Sequence, residues 1–407
     1  MVRNIALTCA MAAAFAVGFF LVSQKNAERR ATADAMAYLD IDAERSSTFY
    51  PVRRVASSVQ YKKTVIAILD SAPTARAQSE PETRTNQAGP RVAFALPPKP
   101  RSRPVERTHT QLVAFAASPF PYTGRVPRTN RPFLNYRDDG RLGRKTYGGR
   151  VYWADETYND RRVLLHIPEG FDARKPAVMV LFFHGHGATL ERDVAARQRV
   201  PQQITESGMN AVLVAPQFAV DARDSSAGNF WKPGGVERFL DEVADKLARL
   251  DGDPTSRAAF AKMPIVIVGY SGGYAPTAWA LESPVVEKRL KGTVLLDGLY
   301  GEIDKFERWV ARNRSAFFLS AYTGSTARGN AALKHRLRAR KIPYRTEVAG
   351  ALAPGSVTFV AADERHRHYV TRAWTDHPIN DVLVRMTGGV RRADTMQSAS
   401  LDPVTGR

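Results

Sequence analysis

Residues Pro264 to Val268 read Pro-Ile-Val-Ile-Val, and the next five are Gly269-Tyr270-Ser271-Gly272-Gly273. An unbroken β-branched run is expected of a strand covered on both faces, because a half-exposed strand alternates apolar with polar residues. Three glycines among the next five residues end that strand in a turn where neighbouring backbones approach closely. A helix-forming stretch, Ala275–Leu281, comes straight after. Strand, sharp turn and helix form the repeating unit of a parallel sheet, whose neighbouring strands need a crossover connection.

The same texture recurs from about Arg150 onward. Candidate strands are Val163–Ile167, Ala177–Phe183, Ala211–Ala215, Ile265–Val268, Thr293–Leu296, Ala316–Ala321 and Val357–Val360. Between them lie amphipathic stretches. Gly235–Leu250 carries Val236, Phe239, Leu240, Val243, Leu247 and Leu250 at helical spacing, and Ile303–Arg312 and Asn330–Lys341 are read as helices too. The expected fold class is α/β, a mostly parallel central sheet with helices on both faces, over residues 131–390.

The chain before this region has a different character. Ile5 to Val22 carry no charge and approach the roughly 20 residues of a membrane-crossing helix. Residues 1–23 are therefore read as an uncleaved signal anchor, with a cleaved signal peptide as the alternative, since Ala31-Thr32-Ala33 comes only after Lys25, Arg29 and Arg30. The expected setting is an inner-membrane anchor with a periplasmic or extracytoplasmic domain, or secretion if the leader is removed. Residues 24–130 are rich in Ala, Arg, Pro, Ser and Thr and are read as a basic disordered linker, interrupted by an amphipathic helix near Tyr61–Leu69. Residues 391–407 are expected to be a disordered tail.

With 59 Lys+Arg against 40 Asp+Glu, the net charge is +19. Such a chain favours anionic surroundings, and the expected partners are the membrane through the N-terminal helix and anionic cell-envelope polymers through the linker. Nucleic acid is set aside, because no recognition motif accompanies the charge. The single cysteine, Cys9, lies in the leader, so a thiol nucleophile, a cysteine-ligated metal and an internal disulfide are excluded from the rest of the chain. No nucleotide-binding glycine-rich loop occurs elsewhere, and no cofactor is expected.

Gly269-Tyr270-Ser271-Gly272-Gly273 matches G-x-S-x-G, in which a serine sits on a strained turn between strand and helix. An ordinary strand-to-helix turn is the plain alternative. With the earlier turn Phe183-His184-Gly185-His186-Gly187-Ala188, residues from about Val163 to Met386 resemble the α/β-hydrolase fold family. The resemblance implies that Ser271 is a nucleophile and that two backbone N–H groups form an oxyanion hole, one from Gly272 and one from His186 or, alternatively, Gly187. It also implies a carboxylate and then a histidine further along the chain. The family's usual acid position falls in Ala321–Arg328, which has no carboxylate. Asp297, one strand earlier and at a strand end, is the expected acid, ahead of Glu302 and Asp304 and of a merely turn-forming role before Gly298.

The histidine is expected in the loop after the last strand, which offers His366 and His368. His368 is preferred, being nearer the apolar stretch that would seat its backbone. His377 precedes Pro378 and reads as a helix-start residue, while His166 lies in an apolar strand and reads as a core histidine. The pairs His184/His186 and His366/His368 leave zinc ligation open as an alternative. The expected chemistry is acyl transfer to water on a small-molecule or envelope-derived ester or amide, ester ahead of amide by the family resemblance. A non-catalytic, membrane-tethered envelope-binding protein on the same fold is the second hypothesis.

Overall fold

The structure is a computed structural model and describes residues 109–386 and 391–392. The expected leader, the amphipathic stretch near Tyr61–Leu69 and nearly all of the expected tail lie outside these residues. Among the described residues no helix is long and apolar enough to cross a membrane.

Eight strands form the central sheet: β1 (His109–Ala114), β5 (Arg162–Ile167), β6 (Val178–Phe183), β7 (Ala211–Pro216), β8 (Ile265–Tyr270), β9 (Leu290–Leu296), β10 (Phe317–Tyr322) and β11 (Val357–Ala361). Their order is β1-β5-β7-β6-β8-β9-β10-β11. β1 and β5 run antiparallel to their neighbours, and the other six strands are parallel. All seven strands expected from apolar runs are present, each within a few residues of its expected ends.

Alternate residues of each strand feed two cores. Leu181, Val214, Ile267, Leu295 and Phe318 face one of them, and Val180, Leu213, Val268, Leu296 and Leu319 face the other. That is why these strands read as unbroken apolar runs. The helix Gly235–Asp251 buries Val236, Phe239, Leu240, Val243 and Leu247, the face expected from their spacing, and ends at Gly252 in the left-handed conformation. Each fully buried side chain of this size contributes about 1.5–3 kcal/mol.

The expected disordered linker over 24–130 is corrected at its C-terminal end. β1 pairs with β5 along its whole length, from His109 opposite Ile167 to Ala114 opposite Arg162. Phe115, Phe120 and Tyr122 are buried, with Phe120 in ring contact with Phe133 and Tyr158. His-Thr-Gln-Leu-Val-Ala has weak strand patterning by itself and is held by the free edge of β5, a non-local cause. The segment then spans the rim of the sheet. Asn229 Nδ2 donates to the carbonyls of Ser118 and Pro121 at 2.9 Å, and Arg128 reaches Glu302 at 2.6 Å.

A second sheet, β2 (Tyr136–Asp138), β3 (Arg141–Lys145) and β4 (Val151–Trp153), is antiparallel and was not expected. β2 and β3 are joined by Asp139-Gly140, both at positive φ, the two-residue turn favoured by hairpins.

Candidate active site

The parallel strands end in register: Phe183 lies opposite Gly269, Tyr270 opposite Leu296, Leu296 opposite Ala321, and Tyr322 opposite Ala361. Loops that leave these ends start side by side on one rim of the sheet. This brings Ser271, Asp297 and His366 together although they are far apart in sequence.

Ser271 follows β8 directly and begins a short turn, Ser271–Gly273, that leads into the helix Tyr274–Ala280. Its φ is +50°, a left-handed conformation that costs a non-glycine residue roughly 1–2 kcal/mol. Tight packing holds it there. A Cβ on Gly273 would lie 2.1 Å from the Phe183 carbonyl oxygen, and one on Gly185 would lie 2.8 Å from the Ser271 Cβ.

His366 Nε2 is 2.9 Å from Ser271 Oγ, and its Nδ1 is 2.6 Å from Asp297 Oδ2. The Tyr270 ring stacks on the imidazole at 5.3 Å, and the Tyr270 hydroxyl donates to the His366 carbonyl at 3.0 Å. The strand residue before Ser271 thus holds His366 by both ring stacking and a hydrogen bond.

His368, the preferred histidine of the sequence reading, is displaced by His366. Its Nδ1 faces Glu364 at 3.2 Å and its Nε2 accepts from Arg367 at 2.9 Å. The backbone from His366 to His368 is a 3₁₀ turn, so residues two apart point in different directions instead of sharing a face as on an extended chain. Tyr369 and Val370 do seat the loop in the core. Seating those residues leaves His366 toward the rim and His368 on the outer side.

Asp297 is fully buried and, with φ +44°, also left-handed. Its carboxylate accepts from the Thr323 N–H at 3.0 Å, from the Thr323 and Ser325 hydroxyls at 2.8 Å each, and from the Thr326 hydroxyl. Burial by itself would push the carboxyl pKa up. The bonds from His366, Thr323 and Thr326 outweigh burial and bring it down to about 2. The loop after β10, which lacks a carboxylate of its own, holds the carboxylate supplied by β9. Sequence reasoning did not assign Thr323, Ser325 and Thr326, yet three hydroxyls in four residues at a strand end were the available signal.

At the expected oxyanion loop, Gly187 is corrected: its N–H donates to the Ala222 carbonyl at 2.9 Å and is occupied. The His186 N–H has no acceptor among the described residues. Its direction is set by His184, whose Nε2 accepts from Phe218 N–H at 2.9 Å and so leaves the proton on Nδ1, which donates to the Gly185 carbonyl at 2.8 Å. Carbonyl and N–H of one trans peptide point opposite ways, so fixing the Gly185 carbonyl turns the His186 N–H the other way. Gly272, the other expected donor, follows Ser271 in the turn. The four rim histidines have separate partners, and among the described residues no group of three or more His, Cys, Asp or Glu is placed to hold a metal ion.

Other named residues resolve simply. His166 is bonded on both nitrogens, to Thr110 and Thr205 at 2.8 Å each, and His377 occupies the position before the helix Pro378–Arg385 without a side-chain bond to its first turn. Glu302 and Asp304 face Arg128, not His366.

No family model and no curated protein matches the chain. Among solved structures, a feruloyl esterase module from Clostridium thermocellum is similar at 13% identity, covering 69% of this chain and 99% of that one, with a TM-score of 0.37. An IroE-like serine hydrolase from Shewanella oneidensis is similar at 17% identity over 55% of this chain and 74% of its own, with a TM-score of 0.33. An S-formylglutathione hydrolase from Agrobacterium tumefaciens is similar at 12% identity over 60% and 94%, with a TM-score of 0.34. Similarity at this level is distant. What the geometry itself shows is an α/β fold with a mostly parallel sheet, a strained serine between β8 and its helix, and an acid and a histidine brought to the same rim.

Proposed function

We propose that the chain is a serine hydrolase that cleaves a carbonyl ester or amide through an acyl-enzyme on Ser271. The observation that carries this reading is the continuous hydrogen-bond line from Ser271 Oγ through His366 to Asp297. Ser271 Oγ attacks the carbonyl carbon while His366 Nε2 takes its proton. The carbonyl oxygen becomes an oxyanion that Gly272 N–H and His186 N–H stabilise. Collapse of this intermediate expels the alcohol or amine, which receives the proton from His366 and leaves the acyl group on Ser271. Water, deprotonated by His366, then attacks the acyl carbon; the bond from that carbon to Ser271 Oγ breaks, Oγ takes the proton back from His366, and the acid is released. Asp297, ionised across the neutral range, holds the imidazole with its proton on Nδ1 and stabilises the imidazolium.

An envelope setting and anionic envelope partners belong to the same proposal. They rest on the uncharged run Ile5–Val22 and the basic stretch after it.

The test is to treat the full-length chain with a fluorophosphonate and map the adduct. Labelling at Ser271, persisting in a chelator and lost in Ser271→Ala together with hydrolysis of p-nitrophenyl acetate, is the expected result. An unlabelled, inactive parent chain overturns the proposal in favour of a binding protein on this fold.

A further inference from the structure

The loop between β7 and the helix Gly235–Asp251 brings another hydroxyl to the reacting centre. A Cβ on Gly272 would lie 2.3 Å from His186 Cδ2, 2.7 Å from His186 Nε2 and 3.0 Å from Ser225 Oγ. The imidazole edge and the Ser225 hydroxyl therefore occupy the space that any other residue after the nucleophile would need. Ser225 Oγ lies 2.6 Å from His186 Nε2, and among the described residues no other group bonds it.

Its support is rigid. Ala222 accepts the Gly187 N–H, the Arg223 N–H donates to Tyr152, and the Asp224 carboxylate takes the Tyr158 hydroxyl, the Arg144 guanidinium and both the N–H and hydroxyl of Ser226. Ser225 itself is half-buried, between these anchored neighbours. It adjoins both residues whose backbone N–H groups form the expected oxyanion hole.

A hydroxyl has one proton to place. Beside a neutral imidazole protonated on Nδ1, Ser225 gives that proton to Nε2 and shows lone pairs to the cleft. Beside one protonated on Nε2, Ser225 accepts from the ring and its own proton is free. Burial pushes the His186 pKa down to about 4, so at neutral pH the ring carries a single proton that either nitrogen can hold. Negative charge growing on a nearby oxygen repels lone pairs and attracts a donor, and so selects the second arrangement.

We propose that Ser225 is a third oxyanion donor, a side-chain hydroxyl that joins the N–H groups of Gly272 and His186, with the His186 imidazole as the positioning residue that turns the hydroxyl proton toward the substrate. This rests on the hydrolase reading of Ser271. The donation moves no covalent bond; it adds one hydrogen bond that forms as charge develops.

The experiment compares the full-length parent with Ser225→Ala and Ser225→Thr in three assays. These are hydrolysis of p-nitrophenyl acetate, inhibition by an alkyl trifluoromethyl ketone, whose hemiketal with Ser271 places an oxyanion in the hole, and fluorophosphonate labelling of Ser271. Ser225→Ala is expected to lower kcat by about 10²-fold with KM changed by less than about threefold, and to weaken the ketone by a similar factor. Ser225→Thr, which keeps the hydroxyl, restores kcat to within about tenfold of the parent. Unchanged kcat in Ser225→Ala overturns the role. So does a fall in kcat with ketone binding intact, which assigns Ser225 to loop support instead. A parent that does not label overturns the hydrolase reading beneath the proposal, whereas a labelled parent with an indifferent Ser225→Ala overturns this proposal alone.

Discussion

Asp297 combines a conformation that side chains avoid with complete burial, and its carboxylate is tolerated because every approach to it is a donor. Removing one donor leaves a buried charge short of a partner, so Thr326→Val is expected to cost about 1.5–3 kcal/mol in urea unfolding. Asp297→Asn removes the acceptor that holds His366 in its tautomer. A drop in kcat of about 10⁴-fold is expected, measured on p-nitrophenyl acetate. The histidines separate in the same assay. His366→Ala lowers kcat by about 10³-fold or more, while His368→Ala, which alters only contacts with Glu364 and Arg367, stays within about threefold of the parent. Equal losses would place the base elsewhere. At this scale the placement of Ser271 and Asp297 at strand ends on one rim was legible, because a strand end followed by Gly leaves a distinct local signature. The choice of His366 was not legible. It depends on whether three residues are extended or wound into a turn, and that is decided by how Tyr369 and Val370 pack.

β1 shows what pairing does for a weak sequence. Its residues become a strand only against β5, and the aromatic residues that follow hold it to the rim. Phe120→Ala is expected to destabilise the fold by about 3–5 kcal/mol through the cavity it leaves, and limited proteolysis of the full chain should spare residues 109–135. Cutting between Phe115 and Phe133 would restore the longer linker. The strands buried on both faces were readable because unbroken apolar runs have few other folds open to them. The small sheet β2-β3-β4 was missed for the opposite reason: its strands are only three to five residues long, and β2 and β3 are largely polar. Asp139-Gly140 carried the hairpin signal without apolar alternation on either side to support it. Thr323 to Thr326 looked like a gap in the site because a cradle for someone else's carboxylate has no sequence motif of its own.

Stability as a whole should fall on the acid side. Burial holds the His166 pKa near 4. Unfolding returns that ring to the ordinary range near 6.5, so between about pH 6.5 and 4 the unfolded chain binds the extra proton and stability drops as pH is lowered. The contribution is about 3 kcal/mol across the window, and His166→Gln should shrink the loss between pH 7 and pH 4.5 in unfolding measurements by about that amount, leaving the share that the buried His184 and His186 add. The net charge of +19 makes a second prediction at this scale. Attachment of the full chain to anionic vesicles through its basic stretch should weaken steeply between 0.1 M and 1 M salt, as the screening length shrinks from about 10 Å to about 3 Å. Attachment indifferent to salt would assign it to the apolar run Ile5–Val22 instead. The split between the acid on β9 and its cradle after β10 also makes the rim modular. Ser325 Oγ already touches the Asp297 carboxylate, so Ser325→Asp alone sets two like charges in contact, whereas Ser325→Asp with Asp297→Asn moves the charge by one strand and keeps its count. The carboxylate that faces His366 is thus supplied by one strand and cradled by the loop after the next, so the charge and its cradle are set by separate parts of the chain.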